Sequence, residues 1–248
     1  VNGGLKSIRK RGQDEFMKKT GIMTDSHSGI LQSEADELGI GVLPMPFYID
    51  EKLYREGVDI SREEFYDRLR KGVDVSTSQP SPEEVMKMWD TMLEQYEELV
   101  YIPISSGLSG SCMTAQAMAQ DEPYAGKVFV VDNGRVSTPM HRSVLDAVEL
   151  AGKGYSAERI KKILEDNREN MVIYVGLSTV SYLKKGGRIS SVAAVAADVL
   201  NIKPVMKFGV GKLDVYQKCR GIKNARKAMI DAIKKEFATT FKDAYEAG

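Results

Sequence analysis

The chain has 248 residues, 42% hydrophobic and 28% charged, enough apolar material to bury the core of one or two domains. Lysine plus arginine number 35 and aspartate plus glutamate 35, so the overall balance offers no support for a nucleic-acid or anionic-membrane surface. No apolar run reaches the ~18 residues of a membrane span. The histidines (His27, His141) and the widely separated cysteines (Cys112, Cys219) lack zinc-site spacing, and the cysteines fit reduced core thiols of a cytosolic protein.

Residues 1–16, "VNGGLKSIRKRGQDEF", are polar, basic and without apolar periodicity, and read as a loose extension with no secretory signal pattern. From Met17 on, short strand-like runs ("GIMT", "GVLPMPFYI", "LVYIPIS", "KVFVVDN") alternate with helices. "SREEFYDRLRKG" starts on a Ser61/Glu64 capping box and stops at Gly72. "SPEEVMKMWDTMLEQYEE" starts on a Ser81 cap, Pro82 in the first helical position and Glu84 closing the box. Its Val85, Met88, Trp89, Met92 and Tyr96 recur at helical spacing and form a core stripe. Alternating strands and helices predict a mostly parallel sheet with helices on both faces over residues 17–160.

The pattern changes beyond a joint near residues 152–170. The strand "MVIYVGLST" is followed by the small-residue helix "SVAAVAADVL", a hairpin made of "KPVMKF" and "KLDVYQK", and the amphipathic helix "IKNARKAMIDAIKKEF". This predicts a smaller α+β domain with antiparallel strands over residues 161–248. The fold class is therefore two-domain α/β.

Three polar stretches carry the chemistry. In "YIPISSGLSGS" a strand runs into Ser105, Ser106, Gly107, Leu108, Ser109 and Gly110, and "SCMTAQAMAQ" begins a helix. A strand–Ser/Gly turn–helix unit points free N–H groups and hydroxyls at one place, an anion site at the carboxyl edge of an open sheet. One helix cap needs one serine, so the surplus favours a ligand over a plain cap. "VSTSQPS" places Ser76, Thr77 and Ser78 ahead of the Ser81 cap, a second hydroxyl-rich turn. "LKKGGRISS" holds Arg188 on a glycine turn, suited to forking onto a carboxylate or phosphate. In "TDSHSG", Asp25 reads equally as a ligand contact, an acid or a cap, and His27 as a solvent-facing turn residue. His141 lies in a helix with no partner visible. No nucleophile elbow or Ser-His-Asp spacing is present.

These blocks, in this order, resemble the DegV family. The matching segments are "TDS" at 24–26, "VLPMPFYID" at 42–50, "GVDIS" at 57–61, "STSQPSPEE" at 76–84, "ISSGLSGS" at 104–111, "VVDNGRVS" at 130–137, "GLSTVSYLKKGGRIS" at 176–190 and "LNIKPVMKF" at 200–208. The resemblance implies a cytoplasmic, non-enzymatic lipid carrier without a cofactor. A long-chain fatty acid such as palmitate, stearate or oleate lies with its tail in a buried tunnel and its carboxylate at the domain interface. The same resemblance implies a separate, DAK-like fatty-acid kinase subunit that phosphorylates the presented carboxylate with ATP, and transient membrane contact rather than an integral segment. The family's carboxylate contacts carry over to Thr77, with Ser78 beside it, to Ser106 or Ser109 of "SSGLSG", and to Arg188. Methionines and the "SVAAVAADVL" residues are candidate tunnel lining or plain core. The family pattern continues past the last helix with a further strand–helix section and a glycine-rich segment carrying a histidine. This chain stops at "FKDAYEAG", so the second domain is expected to be incomplete and a fourth head-group contact has no candidate. Two rival readings are an enzyme acting on a small phosphorylated or carboxylated metabolite at the Ser/Gly anion site, and a regulatory protein, for which no helix-turn-helix signal exists.

Overall fold

The computed structural model describes residues 18–189, 202–209 and 212–243. The 1–16 extension and the "SVAAVAADVL" helix lie outside them. The chain divides into two compact units, Val1–Asn167 and Arg168–Gly248.

The first unit is built on strands β1 (Lys18–Asp25), β2 (Gly41–Leu43), β6 (Tyr96–Ile102) and β7 (Val128–Val130). They pair in parallel in the order β2-β1-β6-β7. Side chains alternate across a strand, and here both faces are apolar. Ile22, Val100 and Ile102 enter one core with Met140, Val144 and Ala147 of helix α5 (Ser137–Gly152) and Ile160 and Leu164 of α6 (Ala157–Asp166). Met23, Leu99 and Tyr101 enter the other, with Val85, Trp89 and Met92 of α3 (Pro82–Leu93) and Cys112 and Ala115 of α4 (Ser111–Met118). Trp89 is wholly buried, edge-on to Tyr101 and Tyr124. The expected helix-covered parallel sheet is thus present. Residue 160, the expected end of this domain, falls inside α6, which belongs to the first unit.

Helix starts follow local chemistry. At α3 the Ser81 hydroxyl accepts from the Glu84 N–H and the Glu84 carboxylate accepts from the Ser81 N–H, a complete capping box with Pro82 at the first turn. Ser61 caps α2 (Arg62–Arg70) by accepting from the Glu64 N–H. Here the Glu64 carboxylate turns to Arg68 instead, so only half of the expected box forms. Gly72, at φ 79°, takes the left-handed conformation that ends α2. The short helix α1 (Gln32–Leu38) lies between β1 and β2.

A second sheet in this unit differs from the expectation. "GVLPMPFYI" is not one strand. Pro44 and Pro46 interrupt it, since proline has no N–H to give to a ladder. β2 ends at Leu43, and Pro46 opens β3 (Pro46–Ile49), which pairs antiparallel with both β4 (Lys52–Arg55) and β5 (Val75–Thr77). The β3–β4 loop is Asp50–Glu51, both at positive φ, as a two-residue hairpin requires. Antiparallel strands therefore occur in the first unit as well as the second.

The second unit carries the antiparallel sheet β10-β9-β8, from β8 (Ile173–Gly176), β9 (Ile202–Gly209) and β10 (Lys212–Arg220). Helix α8 (Ile222–Ala238) packs Ala225 and Ala228 on Val205 and Cys219. Glu236 of α8 accepts from Tyr174 (2.7 Å) and Lys207 (2.8 Å). The Lys207 ammonium leads the hydrogen bonds that hold its carboxyl down to about 2. Both cysteines are buried and free of any disulfide. Among the described residues no helix is long and apolar enough to cross a membrane.

Candidate functional site

The site grows from the carboxyl ends of β1 and β6. At the end of β1, the buried Thr24 hydroxyl donates to the Ile102 carbonyl (2.8 Å). Asp25 is fully buried. One of its oxygens accepts from the Ile104 N–H (2.8 Å); the other accepts from the His27 N–H (2.9 Å) and lies 3.0 Å from His27 Nδ1. Of the three readings open for Asp25, geometry selects the cap, which also ties β1 to the strand running into the serine turn. Ser26 donates to Glu56 (2.7 Å) and accepts from the Met45 N–H (3.1 Å), tying the same turn to the small sheet.

The serine turn follows. The Ser105 N–H donates to the Arg135 carbonyl (2.9 Å), and the Ser105 hydroxyl accepts from the Gly107 N–H (3.2 Å). Ser106 donates its proton to Asp132 (2.6 Å). Ser109 accepts from the Ser111 N–H (3.2 Å), which leaves its own O–H hydrogen for another acceptor. The buried Ser111 hydroxyl has no partner among the described residues. The second hydroxyl turn abuts this one. Gln79 Oε1 is 3.5 Å from the Thr114 hydroxyl, and a Cβ on Gly110 would come within 3.1 Å of it, so the close approach favours glycine there. Behind the turn, Arg135 is buried and donates to Ser143 (2.9 Å) and the Asn167 carbonyl (2.8 Å). Burial lowers its pKa, and Asp146 opposes that shift.

Thr77 ends β5, exposed and opposite Phe47, and Ser78 is the exposed residue after it. Thr77 also borders a cavity of about 710 Å³ in the first unit. Its walls are largely apolar, with Ile30, Met45, Phe47, Ile60, Phe65 and Val75 among them, and its size lies within the ~300–1,000 Å³ of small-molecule sites. Among the described residues Met45 is the one methionine on this wall; Met23, Met92 and Met140 are core. Arg188 belongs to the second unit, exposed beyond the short helix α7 (Ser181–Lys185), where Gly187 takes φ 71° and the Arg188 guanidinium donates to the Gly186 carbonyl.

Two histidine expectations are corrected. His141 has a partner, Glu34, at 2.8 Å. His27 does not simply face solvent: its side chain is 34% exposed, bonded to Asp25, and lines the cavity. Burial disfavours the charged ring, but the Asp25 hydrogen bond and the charges of Asp25 and Glu56 outweigh it, so its pKa is raised. The stabilisation is full below the unfolded value of about 6.5 and is lost as pH rises through the higher folded value. NMR titration should place the His27 midpoint above 6.5, and Glu56→Gln should lower it; an unmoved midpoint would remove Glu56 from this account. The aspartate, asparagine and arginine of "VVDNGRVS" were legible only as a matching block. Asp132 and the Arg135 carbonyl hold the serine turn, while the Asn133 amide and the Arg135 guanidinium both donate to Ser143, and that division needed the fold.

The chain matches the family described as "Uncharacterised protein, DegV family" over residues 19–244. It is 33% identical over 218 residues to a DegV domain-containing protein of Caldanaerobacter subterraneus, covering 88% of this chain and 78% of that one. Among solved structures it is similar to a fatty-acid-binding DegV family protein of Thermus thermophilus, with TM-score 0.77 and 32% identity over 88% of this chain and 77% of that one. It is also similar to a stearic-acid-binding protein of Eubacterium ventriosum, with TM-score 0.80 and 25% identity over 92% and 78%. With the motifs, the fold and a match across most of its length in agreement, the chain belongs to the DegV family.

Proposed function

We propose that this protein binds one long-chain fatty acid, its tail in the apolar cavity of the first unit and its carboxylate held by Thr77, Ser78, the serine turn and Arg188. It acts in the cytoplasm as a carrier rather than a catalyst, presenting the carboxylate to a separate ATP-dependent fatty-acid kinase subunit. The observation that carries the reading is the mainly apolar cavity with Thr77 on its wall and a hydroxyl-rich turn beside it. Burying a C16 tail contributes on the order of 10 kcal/mol at ~0.8 kcal/mol per CH₂, partly offset by ordering the chain. The carboxylate then needs donors, because a buried unpaired charge costs several kcal/mol.

Within "SSGLSG" the hydrogen bonding favours Ser109 over Ser106. Ser106 spends its proton on Asp132, whereas Ser109 keeps a proton to donate. A hydrogen bond to a charged group contributes about 1.5–3 kcal/mol, so Ser109→Ala and Thr77→Val should each weaken stearate binding roughly ten- to hundredfold in a titration of delipidated protein. Ser106→Ala should weaken it less. Unchanged affinity in both Ser109→Ala and Thr77→Val would remove the carboxylate from these turns.

A further inference from the structure

One polar side chain on the cavity wall has no role in holding a carboxylate. His27 lines the cavity with its Nδ1 committed to Asp25 at 3.0 Å. Asp25 already accepts from two backbone N–H groups, and a carboxylate oxygen only accepts. Nδ1 therefore carries the hydrogen, and in the neutral ring Nε2 is a bare acceptor. Nε2 has no hydrogen-bond partner among the described residues.

The surroundings select what Nε2 takes. Among the described residues of the wall, Glu56, Asp59 and Glu64 are acidic and Arg62 is basic; Asp59 pairs with Arg55 and Glu64 with Arg68, so Glu56 is the acid that bears on His27. The Ser26 hydroxyl hydrogen already goes to Glu56. The carboxylates of Asp25 and Glu56, which act on His27, repel a second anion, and a ligand carboxylate has no hydrogen to give to the neutral ring's Nε2. An alcohol does: it donates to the neutral ring and accepts from the charged one. His27 also stands apart from the Thr77 end of the wall. Its neighbour Ser26 holds Met45, whereas Thr77 pairs with Phe47, two residues further along, or roughly 7 Å of extended chain.

We propose that His27 is a ligand-contacting residue that selects acyl chains bearing a hydroxyl group, through a hydrogen bond from that hydroxyl to Nε2. This rests on the fatty-acid reading above and narrows it to hydroxylated acyl chains. A hydroxyl meets either ring state productively, donating to the neutral Nε2 and accepting from the charged Nε2–H.

The test is a titration of the delipidated chain with stearate and with stearates hydroxylated near the carboxyl, at mid-chain or at the far end. Wild type, His27→Phe and His27→Gln are compared. At least one hydroxylated isomer should bind wild type about tenfold more tightly than stearate, one hydrogen bond's worth. His27→Phe should bring that ratio to about one, chiefly by weakening the hydroxylated ligand, and His27→Gln, which keeps a hydrogen-bonding side chain of similar reach, should retain part of it. A ratio identical in wild type and both variants, with stearate still bound, overturns this inference alone. Failure of wild type to bind any of the acids overturns the fatty-acid reading and this inference with it.

Discussion

Asp25→Ala is expected to cost at least about 1–3 kcal/mol of stability, the range for leaving a buried donor without its acceptor. The carboxylate is fully buried and serves three donors: the Ile104 N–H, the His27 N–H and the His27 ring. Alanine leaves the buried Ile104 N–H without its acceptor, a penalty of about 1–3 kcal/mol by itself, and it also uncaps the turn at Ser26–Ser28. Asp25→Asn should cost less, because an amide oxygen still accepts one N–H while its NH₂ faces another donor. Urea denaturation of the two variants measures the difference. A loss under about 1 kcal/mol for Asp25→Ala would show that the turn closes by another route. Since Ile104 leads directly into the serine turn, the destabilised variant should also bind fatty acid less tightly.

Val75→Trp should abolish tight binding of long acids while sparing short ones. Val75 is a half-buried residue of edge strand β5 on the cavity wall, so an indole there occupies ligand space at an overpacking cost of about 1–3 kcal/mol. If the ring displaces about four methylenes, the lost burial is about 3 kcal/mol, a weakening of more than a hundredfold for stearate. Butanoate, whose tail ends short of a block two strand residues, or roughly 7 Å, from Thr77, should lose little. Calorimetric affinities across a chain-length series check this. A loss shared equally by all lengths would mean that the variant damages the head-group turns, and no loss at any length would place the tail outside this cavity.

The parallel sheet was legible because both faces of β1 and β6 are apolar, and because Ser81, Pro82 and Glu84 write a helix start in local chemistry. The family was legible in its polar motifs. The small antiparallel sheet was not. Its hairpin turns on Asp50 and Glu51, which lack the glycine or asparagine that ordinarily announces positive φ. Its edge strand β5 includes Ser76 and Thr77, which read as a turn by composition. Thr77 is in fact held at the end of that strand. The partners of His27 and His141 escaped for different reasons. His27 bonds two residues back, a local contact hidden by the freedom of a turn, and His141 reaches Glu34, far away in sequence. The choice between Ser106 and Ser109 rests on Asp132, which only the sheet order brings beside the serine turn.

The most direct test of fatty-acid carriage is mass spectrometry of the purified protein under native conditions, repeated after organic extraction. One acyl chain per protein, with the mass of a long-chain fatty acid or its hydroxylated form and released by the solvent, is the predicted result. A bare polypeptide mass, unchanged after incubation with stearate or hydroxystearate, would contradict it.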